Sequence, residues 1–222
     1  MTIIYSFHTG APLNLWERCC LRSFADHGHE IVLFSYDQLD VPPGVQLSNA
    51  GEIVSESDRA AFFAKAPGQF GQFSDLFRYE LLRVRGGWWV DTDIVCLSPV
   101  LPDEEVVIGL KEPVKSHEPI RVNGAVMRFP AGHPLLEEAS AFSRTNLELV
   151  GSSWRSVVGP DLTGTQARDR TAGDFAFLSD QRPRGMAVLR PREARRSCRH
   201  RLQLSLDPPL AGALSGCRAA TR

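Results

Sequence analysis

No stretch of this chain reaches the ~18 consecutive apolar residues that a membrane-crossing helix needs. It therefore holds no candidate transmembrane segment. Residues 1–7 are apolar but carry neither a basic stretch nor a cleavage site, which reads as a first core strand rather than a leader. There are five cysteines, an odd number, and no two of them stand in Cys-x-x-Cys spacing. That excludes a zinc ribbon and a dithiol redox motif. Cys19 and Cys20 are adjacent on a predicted helix, where small buried hydrophobes are expected, and the default compartment is reduced and cytoplasmic. The net charge of −1 names no partner. No Walker-type glycine loop occurs, and no Ser/His/Asp order points to a hydrolase triad.

The mean charge conceals a division. Residues 1–165 carry 13 Lys and Arg against 21 Asp and Glu, a net of −8. Residues 166–222 carry 12 Arg and no Lys against 5 acids, a net of +7. That tail is rich in Arg, Pro, Ala and Gly and has two aromatics, Phe175 and Phe177, a composition that buries little core. A basic arm for nucleic acid or an anionic membrane is one reading. A disordered or aberrant C-terminus explains better the abrupt loss of Lys, and without interleaved aromatics no nucleic-acid partner is expected. The expected organisation is one domain over 1–165 followed by an atypical Arg-rich tail over 166–222.

Hydrophobic residues make up 43% of the chain, enough for a packed core in the first part. Ile3 to Phe7 reads as a strand, Leu13 to Asp26 as a helix closed by Gly28, and Ile31 to Phe34 as a buried parallel strand. Together they form a right-handed βαβ unit. A Pro-Pro-Gly loop follows at Val41 to Gly44, and a short helix at Ser57 to Ala66 is closed by Pro67-Gly68. Ser74 is placed as the cap of the next helix, with Asp75 in its first turn. Leu76, Phe77, Tyr79, Leu81, Leu82 and Val84 make that helix apolar nearly all round. Gly86-Gly87 ends it, and Trp88-Trp89-Val90 runs as a strand into Asp91. Strands near 106–110 and 125–129 and a helix over 134–145 complete an α/β pattern without internal repeats.

The informative segment joins Ser74-Asp75-x-x-Arg78-Tyr79 to Gly86-Gly87-Trp88-Trp89-Val90-Asp91-Thr92-Asp93. Asp91 and Asp93 are two apart, which in an extended chain puts both carboxylates on one side. They lie at the end of an apolar strand, where α/β sheets bind ligands. Paired carboxylates repel unless a cation lies between them or one takes a proton. A hard divalent ion, Mn²⁺ or Mg²⁺, fits oxygen ligands and leaves positions for phosphate oxygens. Asp75 and Arg78 are three apart and share a helix face. Either they form an internal salt bridge, or Asp75 accepts from sugar hydroxyls while Arg78 addresses a phosphate.

As a composite, these residues resemble the DXD-containing sugar-binding-region glycosyltransferases, a group that includes yeast-type α-mannosyltransferases, α-1,4-galactosyltransferases and the glucosylating toxin domains. The resemblance extends over residues 1 to about 165. It includes Asn123-Gly124-Ala125 before an apolar strand, His133-Pro134 at a helix start and the late pair Gly159-Pro160. It implies a GT-A fold with a mixed, mostly parallel sheet flanked by helices. It further implies a UDP- or GDP-sugar donor, a saccharide or glycolipid acceptor, Mn²⁺ or Mg²⁺, and retention of anomeric configuration. Capsule, lipopolysaccharide or glycolipid assembly would be its setting, and contact with a membrane surface is compatible with it. Asp93 would be the main metal ligand and Asp91 would touch both donor and ion. Asp75 and Arg78 would bind the donor sugar and its phosphate, Asn123 would lie beside the reacting sugar, and Tyr5, Ser6 and Phe7 would lie near the base. The C-terminal segment with which related enzymes close over the diphosphate has no counterpart here beyond His200 in an Arg-rich run. His8 is a candidate for the donor pocket, while His27, His29 and His117 read as surface residues. Two alternatives stand beside the transferase. One is a truncated, catalytically silent nucleotide-sugar binder. The other is an Asp-nucleophile phosphatase, for which Lys111 and Lys115 are available but no later acidic pair is.

Overall fold

The computed structural model describes residues 3–110, 122–146, 176–178 and 186–188. Lys111, Lys115, His117, Gly159-Pro160 and His200 lie outside the described residues. Strand β1 (Ile3–Phe7), helix α1 (Leu15–Asp26) and strand β2 (Glu30–Ser35) form the expected unit, with β1 and β2 parallel. Asn14 caps α1 through a capping box: its side chain accepts from the Glu17 amide, and Glu17 accepts from the Asn14 amide at 2.8 Å. Strand β3 (Val45–Asn49) adds in parallel to β2, a strand not anticipated after the loop at Val41 to Gly44.

Helices α2 (Glu56–Lys65) and α3 (Phe70–Arg85) lead to β4 (Gly87–Val90). Helix α3 starts a full turn earlier than the Ser74 cap predicts, and Gln69 at its start makes no side-chain cap bond. Ser74 is an interior residue, and Asp75 lies beyond the first turn. Packing supplies the reason: Phe63 lies 5.1 Å from Phe70 and 5.2 Å from Phe73 between ring centroids, so ring contacts carry the helix back toward Pro67-Gly68. Val84 stands 51% exposed, so α3 keeps one wet stripe. Beyond β4 come β5 (Ile94–Cys96), β6 (Val107–Leu110), β7 (Val122–Phe129) and α4 (Pro134–Thr145). Two short strands arise from the Arg-rich part, β8 (Ala176–Leu178) and β9 (Met186–Val188), neither anticipated from composition.

The main sheet has the order β3-β2-β1-β4-β7-β6-β8, and β5 pairs with β9 apart from it. Strands β3, β2, β1 and β4 are parallel, while β7 runs antiparallel to both β4 and β6. Alternation along β1 divides the core between the two faces. Ile4 joins Leu21, Phe24, Ile31, Leu33, Trp88 and Val90 beneath α1. Tyr5 and Phe7 join Phe34, Phe62, Phe73, Phe77, Trp89 and Leu135 beneath α2, α3 and α4. Among the described residues, no helix is long and apolar enough to cross a membrane.

Helices α3 and α4 are tied by a buried acid. Glu80, 1% exposed, accepts from Arg83 at 3.1 and 3.2 Å, from Arg144 Nε at 2.5 Å and from the Ser140 hydroxyl. Burial pushes its carboxyl up, but the Arg144, Ser140 and Arg83 hydrogen bonds more than offset that and hold it below the ordinary value. A depressed folded-state value stabilises above the unfolded value, and the contribution is lost as pH falls through the folded one. Glu80→Gln is expected to cost about 1.5–3 kcal/mol in urea unfolding at neutral pH. The gap from the parent chain should close as the pH drops below 4.5.

Candidate active site

The parallel strands end at one edge of the sheet, and the crossovers on the two sides of the β1–β4 boundary lie on opposite faces: α1, which leads from β1 to β2, lies on one, while the helices that lead from β3 into β4 lie on the other. The crevice between the ends of β1 and β4 is thus a topological switch point, where open α/β sheets bind ligands. The loop after β1 is fastened to the end of β2. Thr9 Oγ1 and the Gly10 amide both donate to Asp37 Oδ2 at 3.1 Å. His8 stands in that loop, its Nε2 2.8 Å from the Ala11 carbonyl and its Nδ1 3.8 Å from Glu17.

Asp91 and Asp93 lie at the mouth of β4, but not in an extended chain. The Ile94 amide donates to the Asp91 carbonyl at 3.1 Å, closing a turn over residues 91–94. The two acids are neighbours because the backbone folds back on itself. Both are half-buried. Burial first, and then the charge of Asp91, push the Asp93 carboxyl above the ordinary aspartate range, with Glu17 adding to the effect. Burial, followed by Asp93 and Glu17, also pushes the Cys20 thiol up, which places Asp93 against the first turns of α1.

The sharp entry into β4 demands glycine. Gly86 and Gly87 have φ of 63° and 91°, and a Cβ on Gly86 would stand 2.5 Å from the Ala131 amide nitrogen. From α3 comes Arg78, 6% exposed. It forms the internal salt bridge with Asp75, and in addition it reaches Asp91 Oδ1 at 3.6 Å, donates to the Gly124 carbonyl and lies over the Trp89 ring at 5.3 Å. Burial pulls the guanidinium down, but Asp75 and Asp91 outweigh this and raise it. Trp89 Nε1 donates to the same Asp91 oxygen at 2.8 Å. From β7, Ala125 accepts from the Asp91 amide at 2.9 Å, which sets Asn123 beside the acidic turn. Asn123 Oδ1 accepts from the Ala125 amide at 3.1 Å.

The structure thus assembles Asp75, Arg78, Asp91, Asp93 and Asn123 at one place. Tyr5 and Phe7 are core side chains; Phe7 stacks on Phe77 at 4.3 Å. Ser6 is fully buried, and its hydroxyl has no partner among the described residues. These three occupy the strand that ends at the crevice without presenting exposed side chains to it. His29 is buried against the Ser98 carbonyl at 3.2 Å rather than on the surface, and of the cysteine pair Cys20 is buried while Cys19 is half-buried. Sequence reasoning missed three contributors. Trp89 shares a side with Asp91 by its spacing of two, Gly124 sits beside a singled-out Asn, and Glu17 was legible as a helix-start acid.

Among solved structures, one described as "PaToxG Glycosyltransferase" aligns with a TM-score of 0.61 and 13% identity, covering 78% of this chain and 70% of that chain. The chain has a GT-A type glycosyltransferase fold. Two transferase structures, one carrying two Cys-to-Ser changes, align at 9% identity with TM-scores of 0.48 and 0.45; they cover 84% and 85% of this chain and 92% of each of theirs, and at those scores nothing rests on them. No protein-family model matches the chain, and no curated protein does.

Gly124 is where a small change reads out the site. A Cβ there would lie 2.4 Å from Arg78 Nη1. Gly124→Ala is therefore expected to displace the guanidinium, costing about 1–3 kcal/mol in urea unfolding, as overpacking does.

Proposed function

We propose that the chain is a retaining glycosyltransferase, moving a sugar from a UDP- or GDP-sugar to a hydroxyl of a saccharide or glycolipid. One observation carries it. Two neighbouring acids at the switch point of a GT-A type sheet are backed by a buried Arg78 that already holds Asp75 and Asp91.

Asp91 and Asp93 would hold one Mn²⁺ or Mg²⁺. The donor set fits: ionised Asp93 is disfavoured beside Asp91, which a cation relieves. An ion of this kind is commonly bound by one or two carboxylates plus substrate phosphates. When bound, the ion would neutralise charge on the departing diphosphate. Asp75 would accept from hydroxyls of the donor sugar, with Arg78 fixing its direction. The NH₂ of Asn123 would face the reacting sugar. The base would meet the end of the strand that carries Tyr5, Ser6 and Phe7. The acceptor hydroxyl would attack the anomeric carbon on the face the diphosphate leaves, through an oxocarbenium-like state. Among the described residues no side chain at the site is arranged as a nucleophile, so acceleration would come from positioning and charge stabilisation.

The test is donor hydrolysis and transfer with UDP- and GDP-sugars, with and without Mn²⁺. Asp91→Asn and Asp93→Asn should each lower metal-dependent turnover about 100-fold or more with circular dichroism unchanged. Full activity in either variant sinks the assignment. Nucleoside diphosphate binding without turnover in the parent chain would leave a silent binder instead. Asp93→Asn has a second signature. An acid whose folded-state value is raised destabilises the fold once ionised, so at neutral pH the metal-free variant should melt no lower than the parent, and Mn²⁺ should no longer stabilise it.

A further inference from the structure

Trp89 is fully buried in the middle of the sheet, paired with Tyr5 on one side and Met127 on the other. A buried indole N–H needs an acceptor. Here the acceptor is a side chain of the acidic turn, Asp91 Oδ1 at 2.8 Å. The Arg78 guanidinium addresses the same oxygen, 3.6 Å away, while lying 5.3 Å over the Trp89 ring. Both cationic and neutral donors therefore converge on Oδ1, and among the described residues no hydrogen bond or ion pair is made by Oδ2. The Asp91 main chain is fixed independently, through its amide to Ala125 and its carbonyl to Ile94.

We propose that Trp89 is a positioning residue for Asp91. Its indole N–H and Arg78 occupy Oδ1, so that Asp91 presents one oxygen, Oδ2, to a bound cation or donor. This rests on the transferase site proposed above. The physical consequence is that chelation through both oxygens of Asp91 would compete with the indole hydrogen bond and with the Arg78 ion pair at Oδ1. A ligand that takes one oxygen per carboxylate, as a small octahedral ion does, is matched, and a large ion that prefers a bidentate carboxylate is not. Nothing in this role requires the indole to touch the ligand. It acts through Asp91, as outer groups that orient ligating carboxylates do.

The experiment reads the tether from both ends in the full chain labelled with ¹⁵N. The four tryptophans give four indole signals, and Trp16→Phe, Trp88→Phe and Trp154→Phe assign them. Asp91→Asn should move the Trp89 signal upfield and leave the other three in place. Mn²⁺ with a nucleoside diphosphate should broaden the Trp89 signal in the parent chain. Trp89→Phe, which keeps a ring against Arg78 but removes the N–H, should raise the Mn²⁺ midpoint of nucleotide binding by about tenfold or more. If Trp89→Phe does not fold, the shift in Asp91→Asn decides the matter alone. A Trp89 signal unmoved in Asp91→Asn overturns the tether, and if Mn²⁺ still broadens that signal the transferase site survives. A signal that moves in Asp91→Asn but ignores Mn²⁺ and nucleotide overturns the site, and the positioning role with it. An unchanged Mn²⁺ midpoint in folded Trp89→Phe also overturns the positioning role.

Discussion

A single buried guanidinium organises this crevice. Arg78 is out of water, and a cation in that position is stable only when opposite charge and hydrogen-bond acceptors surround it. It finds them on three elements: Asp75 on its own helix, Asp91 beyond β4 and the Gly124 carbonyl on β7. None of the three is dispensable without leaving charge uncompensated, so the position of each element constrains the others. The close approach also explains a glycine at 124, where any side chain would collide with the guanidinium. What looks like a local motif on a helix is thus the point at which helix, strand end and antiparallel strand are brought into register.

The architecture that permits this is set by two devices. One is the glycine pair at 86–87, whose positive φ angles let α3 double back into β4 within two residues and so return the chain to the crevice beside Asp75. The other is Glu80, which fastens α3 to α4. With α3 held at its end by the glycines and at its flank by Glu80, the Asp75–Arg78 face has no freedom to turn away. Rigidity of the supporting elements is what a site built on positioning requires.

Much of this was legible in sequence because it is local. The strand Ile3–Phe7, the apolar run of β2 and the glycine stops depend on near neighbours and appear in the structure where the pattern puts them; Asp75, Arg78, Asp91 and Asp93 come together as well, although Asp75 lies beyond the first turn of α3 and the two acids of the strand end lie in a turn. What was not legible depends on distant contacts. Ser74 has the chemistry of a helix cap, but the rings of Phe63, Phe70 and Phe73 outweigh it and extend α3 past it. Strands of three to five residues such as β3 and β5 are too short for a period to show. His29 reads as polar surface and is buried because β5 and the segment at Ser98 cover it. The turn at 91–94 overrode the extended geometry from which the proximity of the two acids was argued. Their proximity survived for a different reason.

The charge of the mouth, as far as the described residues form it, favours the proposed metal. Among the described residues, Asp75 and Asp91 pair with the buried Arg78, Asp93 lies beside Asp91, and Glu17 stands at the rim with His8. Such a surplus of negative charge repels a nucleoside diphosphate, which is itself anionic. A purely electrostatic binder of diphosphates would reverse that balance, with basic side chains or a helix N-terminus aimed at the phosphates. The described crevice does the opposite, and burial, followed by the charge of Asp91, holds the Asp93 carboxyl above its ordinary range. The proposed donor and this mouth become compatible only if a divalent cation enters with the diphosphate, shared between the acids and the phosphates. On that ground, the proposed metal would follow from the residues around Arg78 rather than stand as an addition to them.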